Sequence, residues 1–190
     1  LDAIVGVRDG VPVVLRNNGD GTWTVERPFD GLQGLRAFAW ADVDGDGDPD
    51  AVCVDDDGSL VVFANLQGGR FERMAGPDES VAIDAMAVGD VTGDGRFDIV
   101  TLDARGAIRR ATYDGGRWQT ADIATWTDAP GGPASGNAKV ALADLDNNGA
   151  LDVVVSSGTG TAIWLAGEDR RWQRLDASVT ADVRAVVDMT

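Results

Sequence analysis

Histidine is absent from this sequence of 190 residues, and cysteine occurs once, as Cys53. The lack of histidine excludes a catalytic triad with a histidine base, and it excludes zinc or copper sites with histidine ligands. A single cysteine excludes a framework of disulfides within the chain. Cys53 lies in an apolar, strand-like pattern, so we expect a small buried side chain there.

Long apolar runs are also missing, since none approaches the roughly 18–20 residues of a membrane helix. Basic residues are few: 16 Lys and Arg stand against 32 Asp and Glu, which gives a net charge of −16. Because phosphate binding requires clustered basic side chains, we expect no nucleic-acid partner, and the lack of a long apolar run predicts no direct membrane insertion. Eleven of the acidic residues lie in three nine-residue segments, and this local concentration indicates cation sites.

The three acidic segments are copies of one motif with a regular spacing. They occupy residues 42–50, 90–98 and 144–152, so their first residues are 48 and 54 positions apart. An aromatic residue recurs with nearly the same spacing, 48, 47 and 54, at Trp23, Phe71, Trp118 and Trp172. The longer third interval fits an insertion-like stretch at 128–136. Two independent markers with one period indicate a repeat protein.

Each repeat is predicted to contain four short strands separated by glycine-containing turns. The first strand precedes the acidic segment (35–41, 82–89, 138–143 and 181–187), and β-branched runs such as 99–101 and 153–155 follow it. Four strands in about 48 residues are typical of a propeller blade. We therefore predict an all-β fold, a β-propeller of four-stranded antiparallel blades with about four blades present. The predicted repeats of this single segment, 1–190, are 1–34 (partial), 35–80, 81–135, 136–180 and 181–190 (partial).

Both ends of the sequence resemble halves of the acidic motif, because residues 1–5 match 151–155 and residues 188–190 match 90–92. We expect a fragment of a longer propeller, cut inside its repeats. A four-blade ring closed by pairing of strand 181–188 with the N-terminal strands is an alternative, since such pairing covers exposed edges. Self-assembly of two fragments would also complete the propeller.

The spacing of oxygen-bearing side chains within each segment predicts a calcium site. Calcium takes six to eight oxygen ligands, and a glycine at position 6 permits the sharp bend that gathers them. Position 9 is Asp in every copy, whereas an EF-hand has Glu at position 12 and flanking helices. Side chains at positions 1, 3, 5 and 9 and the backbone carbonyl at position 7 are the predicted ligands: Asp42, Asp44, Asp46, Asp50 and carbonyl Asp48; Asp90, Thr92, Asp94, Asp98 and carbonyl Arg96; Asp144, Asp146, Asn148, Asp152 and carbonyl Ala150.

We expect about three Ca²⁺ ions, with affinity falling from the first segment to the third to the second as the net negative charge of the segment falls. Magnesium is less favoured, because it prefers small octahedral sites that retain several waters. The alternative is an Asp- and Gly-rich hairpin turn that holds no ion.

The motif Asp-x-Asp-x-Asp-Gly-x-x-Asp followed by a β-branched strand, at 42–50 and with substitutions at 90–98 and 144–152, resembles the FG-GAP/VCBS repeat family, whose calcium-loop blades also occur in integrin α-chain propellers. The resemblance implies a secreted or cell-surface propeller of several blades, commonly seven. The Phe-Gly and Gly-Ala-Pro signatures of integrin blades are absent, so an integrin-like ligand site is not implied.

Three functions remain open at this stage. The leading one is a non-catalytic extracellular scaffold or binding module for protein interaction or adhesion, stiffened by calcium. A lectin-like propeller is the second, with Trp126 in the irregular stretch 125–136 as the best candidate for an exposed sugar platform, whereas Trp23, Trp118 and Trp172 are expected to pack between blades. The third is an enzyme or the accessory domain of a polysaccharide-degrading enzyme, but the acidic turn 55–57 is better explained as a solvated hairpin tip. The ligand, protein or glycan, is not identified by the sequence.

Overall fold

The structure, a computed structural model, describes residues 3–6, 10–77, 81–127, 137–158, 160–167 and 171–176. Fifteen β-strands and no helix occur in these ranges, which confirms the all-β prediction. No helix capable of crossing a membrane is therefore found among them. The chain forms two compact units, Leu1–Asp78 and Glu79–Thr190, which are described separately below.

The Leu1–Asp78 unit contains two antiparallel sheets, and in both the strands follow one another in chain order. The first sheet has three described strands, β1 (Ala3–Val5), β2 (Val13–Asn17) and β3 (Trp23–Glu26). The second has four, β4 (Ala37–Ala41), β5 (Asp50–Val54), β6 (Leu60–Asn65) and β7 (Phe71–Arg73). Hairpins between sequential neighbours explain the simple order, because each glycine-containing turn returns the chain beside the strand it has just left.

The Glu79–Thr190 unit contains two four-stranded antiparallel sheets of the same order. One consists of β8 (Ile83–Gly89), β9 (Asp98–Asp103), β10 (Ala107–Asp114) and β11 (Arg117–Thr125). The other consists of β12 (Lys139–Ala143), β13 (Asp152–Ser157), β14 (Gly160–Ala166) and β15 (Trp172–Arg174). The predicted four-stranded antiparallel blade is thus confirmed for three sheets. The predicted strand at 181–187 and the stretch 128–136 lie outside the described residues.

Burial divides the strands of each four-stranded sheet by their position. The second strands β5, β9 and β13 are buried along their whole length, whereas the fourth strands carry mainly exposed residues. The buried strands are rich in Val and Ile, whose branched side chains pack well on a pleated surface. Cys53 in β5 is fully buried, as expected. In the first unit the core includes Phe29, whose ring centroid lies 5.1 Å from that of Phe63.

Two predictions about tryptophans are wrong. Trp126 is only 3% exposed and belongs to the core of its unit, so it offers no sugar platform. Its backbone N–H donates to the carbonyl of Gly106 (2.8 Å), and a Cβ at Gly106 would lie 2.4 Å from the Trp126 carbonyl oxygen. The glycine therefore admits the chain that carries Trp126 into the core. Trp23, expected to pack between blades, is 52% exposed on the three-stranded sheet.

Candidate metal centre

The three acidic segments are loops that join the first strand of a four-stranded sheet to its second strand. Loop 1 (42–50) joins β4 to β5, loop 2 (90–98) joins β8 to β9, and loop 3 (144–152) joins β12 to β13. Position 9 of each loop is the first residue of the buried second strand. The loops therefore sit at equivalent points of three sheets.

The Asp at position 1 closes each loop onto the glycine at position 6. Its Oδ2 atom accepts a hydrogen bond from the glycine N–H at 3.0 Å in loop 1 and at 2.8 Å in loops 2 and 3. The three glycines have φ angles of 94°, 85° and 86°, which a residue with a Cβ rarely adopts. The repeated Asp and Gly thus form one backbone frame: Asp42 with Gly47, Asp90 with Gly95, and Asp144 with Gly149.

The Asp at position 9 is fully buried in all three loops. Its Oδ2 accepts from the N–H of position 2, at 3.0 Å from Val43, 3.0 Å from Val91 and 2.7 Å from Leu145. A buried carboxylate needs such donors, because an unpartnered charge in the interior is costly. This side chain therefore fixes the start of its own loop.

The second oxygen of the same carboxylate reaches the third strand of the sheet. Asp50 Oδ1 accepts from the N–H of Asn65 (2.9 Å) and Asp152 Oδ1 from the N–H of Ala166 (2.8 Å). In loop 2, Asp98 Oδ1 accepts from the Thr112 hydroxyl and lies 3.5 Å from Arg110 Nη1. The sequence predicted these Asp residues only as ligands and missed their role as ties between strands. The Asp at position 9 of every copy was the available signal.

Loops 1 and 3 each gather three carboxylates around one point. One oxygen from each of Asp42, Asp44 and Asp50 lies within 4.8 Å of the other two, and the same holds for Asp144, Asp146 and Asp152. Two ligand oxygens on opposite sides of a calcium ion are separated by about 4.6–5.2 Å, which is twice the usual Ca–O distance. The spacing in both loops therefore fits calcium, and carboxylate oxygens are the ligands this ion prefers.

Loop 1 shows the electrostatic strain of such a cluster. Burial raises the pKa of Asp44, and the neighbouring carboxylates of Asp46 and Asp42 add to the rise. Burial likewise raises the pKa of Asp50, against the opposing effect of its backbone hydrogen bonds. Both shifts mean that the ionised forms of these two groups are less favoured than the ionised form of a free carboxyl group in water. A bound cation would reverse this penalty.

Loop 2 neutralises its charge with a side chain of its own. Arg96 Nη2 lies 2.9 Å from Asp94 Oδ2, and this hydrogen bond holds the pKa of Asp94 below its usual value. Arg96 also pairs with Asp114 of β10. Thr92 Oγ1 donates to Asp98 Oδ2 at 3.2 Å. Within the described part of the chain, loop 2 gathers no three-carboxylate cluster like those of loops 1 and 3.

Some predicted ligands make other contacts. Asp46 Oδ1 accepts from the N–H of Asp48 (2.9 Å), whose own Oδ2 accepts from Gln67 Nε2 (2.7 Å). In loop 3, Asn148 Oδ1 accepts from the N–H of Ala150 (2.8 Å). Its Nδ2 donates to the carbonyl of Ala166 (2.8 Å), so this amide ties the loop to β14.

Comparison with known proteins agrees with this repeated geometry. The profile of the FG-GAP-like repeat matches three overlapping stretches, 1–53, 42–101 and 90–155, and each contains at least one of the loops. No curated protein matches the chain.

Among solved structures, the chain is similar to an Agrocybe aegerita lectin described as recognising non-reducing terminal N-acetylglucosamine. The TM-score is 0.58 at 22% identity, over 91% of this chain and 47% of the lectin, so the chain spans about half of the lectin's length. At this identity the likeness concerns the fold, which is that of β-propeller blades.

Proposed function

Because the chain belongs to the FG-GAP-like repeat family, we propose that it is a non-catalytic β-propeller binding module of the cell exterior or cell surface, stabilised by calcium. The observation that carries the proposal is the pair of carboxylate clusters in loops 1 and 3, each with three oxygens within 4.8 Å. Acidic side chains at one turn are common without an ion, but here the same backbone frame presents them twice.

Calcium would act on the fold through the residues at position 9. Asp50 and Asp152 touch both the loop and the third strand, so an ion held by them joins three strands of a sheet at one point. Burial is the main cause of the raised pKa of Asp44, and a cation would also remove the repulsion from Asp46 and Asp42 that adds to this rise. The ion thereby stabilises the same contacts that define the blade.

The proposed location follows from the expected affinity. Calcium sites of extracellular modules have dissociation constants of roughly 10⁻⁴–10⁻³ M. We expect loops 1 and 3 to bind in that range, because affinity depends on the number of charged ligands and each loop gathers three carboxylates. Such sites fill where calcium is near millimolar, as it is outside cells. We propose two sites of this strength, in loops 1 and 3, and a weaker one in loop 2, where Arg96 already pairs with Asp94.

The proposal is tested by calorimetric titration of calcium into the chelated protein, with thermal unfolding measured in calcium and in chelator. We expect two ions to bind in the stated range and the unfolding midpoint to rise with calcium. A titration without heat and without a midpoint shift would mean that the loops are metal-free turns, and the role of calcium would be withdrawn. Magnesium at the same concentration is the control, because its stricter octahedral geometry disfavours these loops.

Glycan binding is the second candidate function, and the similarity to the Agrocybe aegerita lectin supports it. Binding of a protein partner, including adhesion, is the alternative ligand class. Catalysis is not proposed: the sequence has no histidine base, and Asp55 in the acidic turn 55–57 accepts from the N–H groups of Asp57 (3.0 Å) and Ser59 (2.8 Å), as a turn-forming residue does.

A further inference from the structure

Loop 3 contains an Asn-Gly pair, Asn148-Gly149, a sequence that is prone to spontaneous deamidation. In this reaction the backbone nitrogen of the glycine attacks Cγ of the asparagine side chain. The Cγ–Nδ2 bond breaks, the amino group leaves with the N–H proton as ammonia, and a cyclic succinimide remains. Water then opens the ring to give aspartate or isoaspartate. Glycine favours ring closure, because it has no Cβ that obstructs the attack.

Loop 3 ties both reacting groups to other partners. The attacking nitrogen is engaged, since the Gly149 N–H donates to Asp144 Oδ2 (2.8 Å). The side-chain amide is held at both atoms: Asn148 Oδ1 accepts from the N–H of Ala150 (2.8 Å), and Nδ2 donates to the carbonyl of Ala166 (2.8 Å). Ring closure turns the amide onto the glycine nitrogen, so these bonds must break first. The reaction therefore requires loop 3 to open, although Asn148 and Gly149 are both exposed to water.

Calcium would hold the same loop closed. The carboxylates that gather in loop 3 are those of Asp144, Asp146 and Asp152. Asp144 accepts from the attacking nitrogen, and Asp152 accepts from the N–H of Ala166, whose carbonyl holds the amide. An ion that binds only the closed loop lowers the open fraction by the factor 1 + [Ca²⁺]/Kd, which is about tenfold at ten times Kd. Deamidation is slower than loop motion, so its rate is proportional to the open fraction.

The products change the metal site in different ways. An aspartate at position 148 adds a carboxylate to the loop, but it loses the N–H donor that holds the carbonyl of Ala166. In isoaspartate the main chain runs through Cγ, which inserts one carbon atom before the nitrogen of Gly149. This nitrogen then no longer fits its bond to Asp144, which is the contact between positions 1 and 6 that all three loops share.

We propose that Asn148 is a deamidation site controlled by the opening of loop 3, so that a loop left without calcium converts to isoaspartate and permanently loses its metal site. Calcium protects the loop that binds it, and a period without calcium is recorded as a covalent change. The inference rests on the calcium site proposed for loop 3 and adds its regulation.

The other Asn-Gly pair of the sequence, Asn18-Gly19, serves as the internal control. It lies in the turn between β2 and β3 and is also tied, since the Gly19 N–H donates to Asn17 Oδ1 (2.8 Å) and Asn18 Nδ2 donates to Thr22 Oγ1 (3.0 Å). These partners are not members of the carboxylate clusters of loops 1 and 3. Calcium should therefore leave the deamidation rate of Asn18 unchanged.

The test uses the wild-type protein, incubated in mildly alkaline buffer with calcium at ten times the measured Kd, with chelator, or with chelator and unfolding urea. Mass spectrometry of digested samples follows the replacement of the amino group by a hydroxyl group at each asparagine, and chromatography separates aspartate from isoaspartate. At Asn148 we expect the fastest reaction in the unfolded chain, a slower one in the folded chelated protein, and a rate about tenfold lower again in calcium. At Asn18 the two folded samples should react at the same rate.

The outcomes separate this inference from the proposed function. Equal rates at Asn148 in the unfolded chain and in the folded chelated protein would show that loop 3 does not control the reaction. Equal rates in calcium and in chelator, for protein that calorimetry shows to bind two ions, would overturn the protection by calcium and leave the proposed function intact. If calorimetry shows no ion, the proposed function is withdrawn, and the folded and unfolded rates still decide whether the loop controls the reaction. The isoaspartate form, isolated by anion exchange, should bind one ion fewer, and two ions would refute the loss of the site.

Discussion

Replacing Asp50 with Asn separates its role as a strand tie from its role as a calcium ligand. Asp50 is fully buried, and its two oxygens accept from Val43 and Asn65. An Asn keeps the shape but puts an NH₂ group opposite one of these N–H donors. Leaving a buried donor without an acceptor costs about 1–3 kcal/mol. In chelator, the sheet that contains β5 should therefore open roughly 5- to 150-fold more often in the variant than in the wild type.

Calcium adds a second difference of comparable size. An ion that binds only the folded loop stabilises it by RT ln(1 + [Ca²⁺]/Kd), which is about 2.7 kcal/mol at one hundred times Kd. The wild-type Leu1–Asp78 unit should then open about 100-fold less often in calcium than in chelator. Asp50→Asn removes one of the three clustered carboxylates of loop 1. In this variant the ratio of the opening frequencies in chelator and in calcium should therefore be close to one.

Cys53 provides the assay. It is the only cysteine in the sequence, it lies in β5 three residues after Asp50, and burial raises the pKa of its thiol to about 12. The folded protein therefore presents no thiolate at neutral pH, and a thiol reagent reacts only through opening of the sheet. When reclosing is faster than labelling, the labelling rate is proportional to the open fraction.

Asp55→Asn is the matched control. Asp55 follows the other end of β5 and accepts two backbone hydrogen bonds, but it lies outside loop 1. Both bonds end on Oδ1, an atom that Asn retains, so the variant should label at close to the wild-type rate and keep the full ratio between chelator and calcium. The reasoning is refuted if Asp50→Asn keeps that ratio as well, since Asp50 would then hold strands without holding calcium.

Three further predictions concern the loops. Arg96→Gln should release Asp94 and strengthen calcium binding at loop 2 severalfold, and an unchanged calorimetric titration would contradict this. In chelator, the raised pKa values of Asp44 and Asp50 mean that the folded state binds protons more tightly than the unfolded state does, so these two groups should stabilise the Leu1–Asp78 unit as the pH falls toward the ordinary carboxyl pKa. In calcium the slope should reverse, because protons compete with the ion; labelling of the cysteine at matched thiolate concentration measures both slopes. Gly47→Ala should cost the unit about 1–2 kcal/mol through its positive φ alone, since a Cβ there meets no atom within 4 Å, and a neutral effect in denaturant unfolding would refute the strained-turn argument.

The strand order was accessible from the sequence because each blade is built from local contacts. A first strand, its acidic loop and the second strand lie within about twenty residues, so the repeat period and the β-branched runs suffice to predict β5, β9 and β13. The clustering of acidic side chains was accessible for the same reason: six of the predicted side-chain ligands form the carboxylate clusters in loops 1 and 3.

Contacts between distant residues were not accessible. The tie from Asp50 to Asn65 depends on the register of β5 on β6, which the local pattern does not predict. Trp126 shows the same limit, since β11 continues to Thr125 and leads the indole into the core instead of into a loop. For Arg96 the sequence predicted only that its backbone carbonyl would be a ligand, whereas its side chain supplies the positive charge of loop 2.

The three loops show that the blade frame and the choice of cation are carried by different positions. Positions 1, 6 and 9 make the same hydrogen bonds in all three, whatever occupies the positions between them. Positions 3, 5 and 7 differ, and with them the source of positive charge: a guanidinium in loop 2 and, as we propose, calcium in loops 1 and 3. Loop 2 makes the hydrogen bonds of positions 1, 6 and 9 while the Arg96 side chain supplies its positive charge. These hydrogen bonds therefore do not depend on a metal ion. Calcium would then act as a stabiliser of loops 1 and 3 that responds to its own concentration.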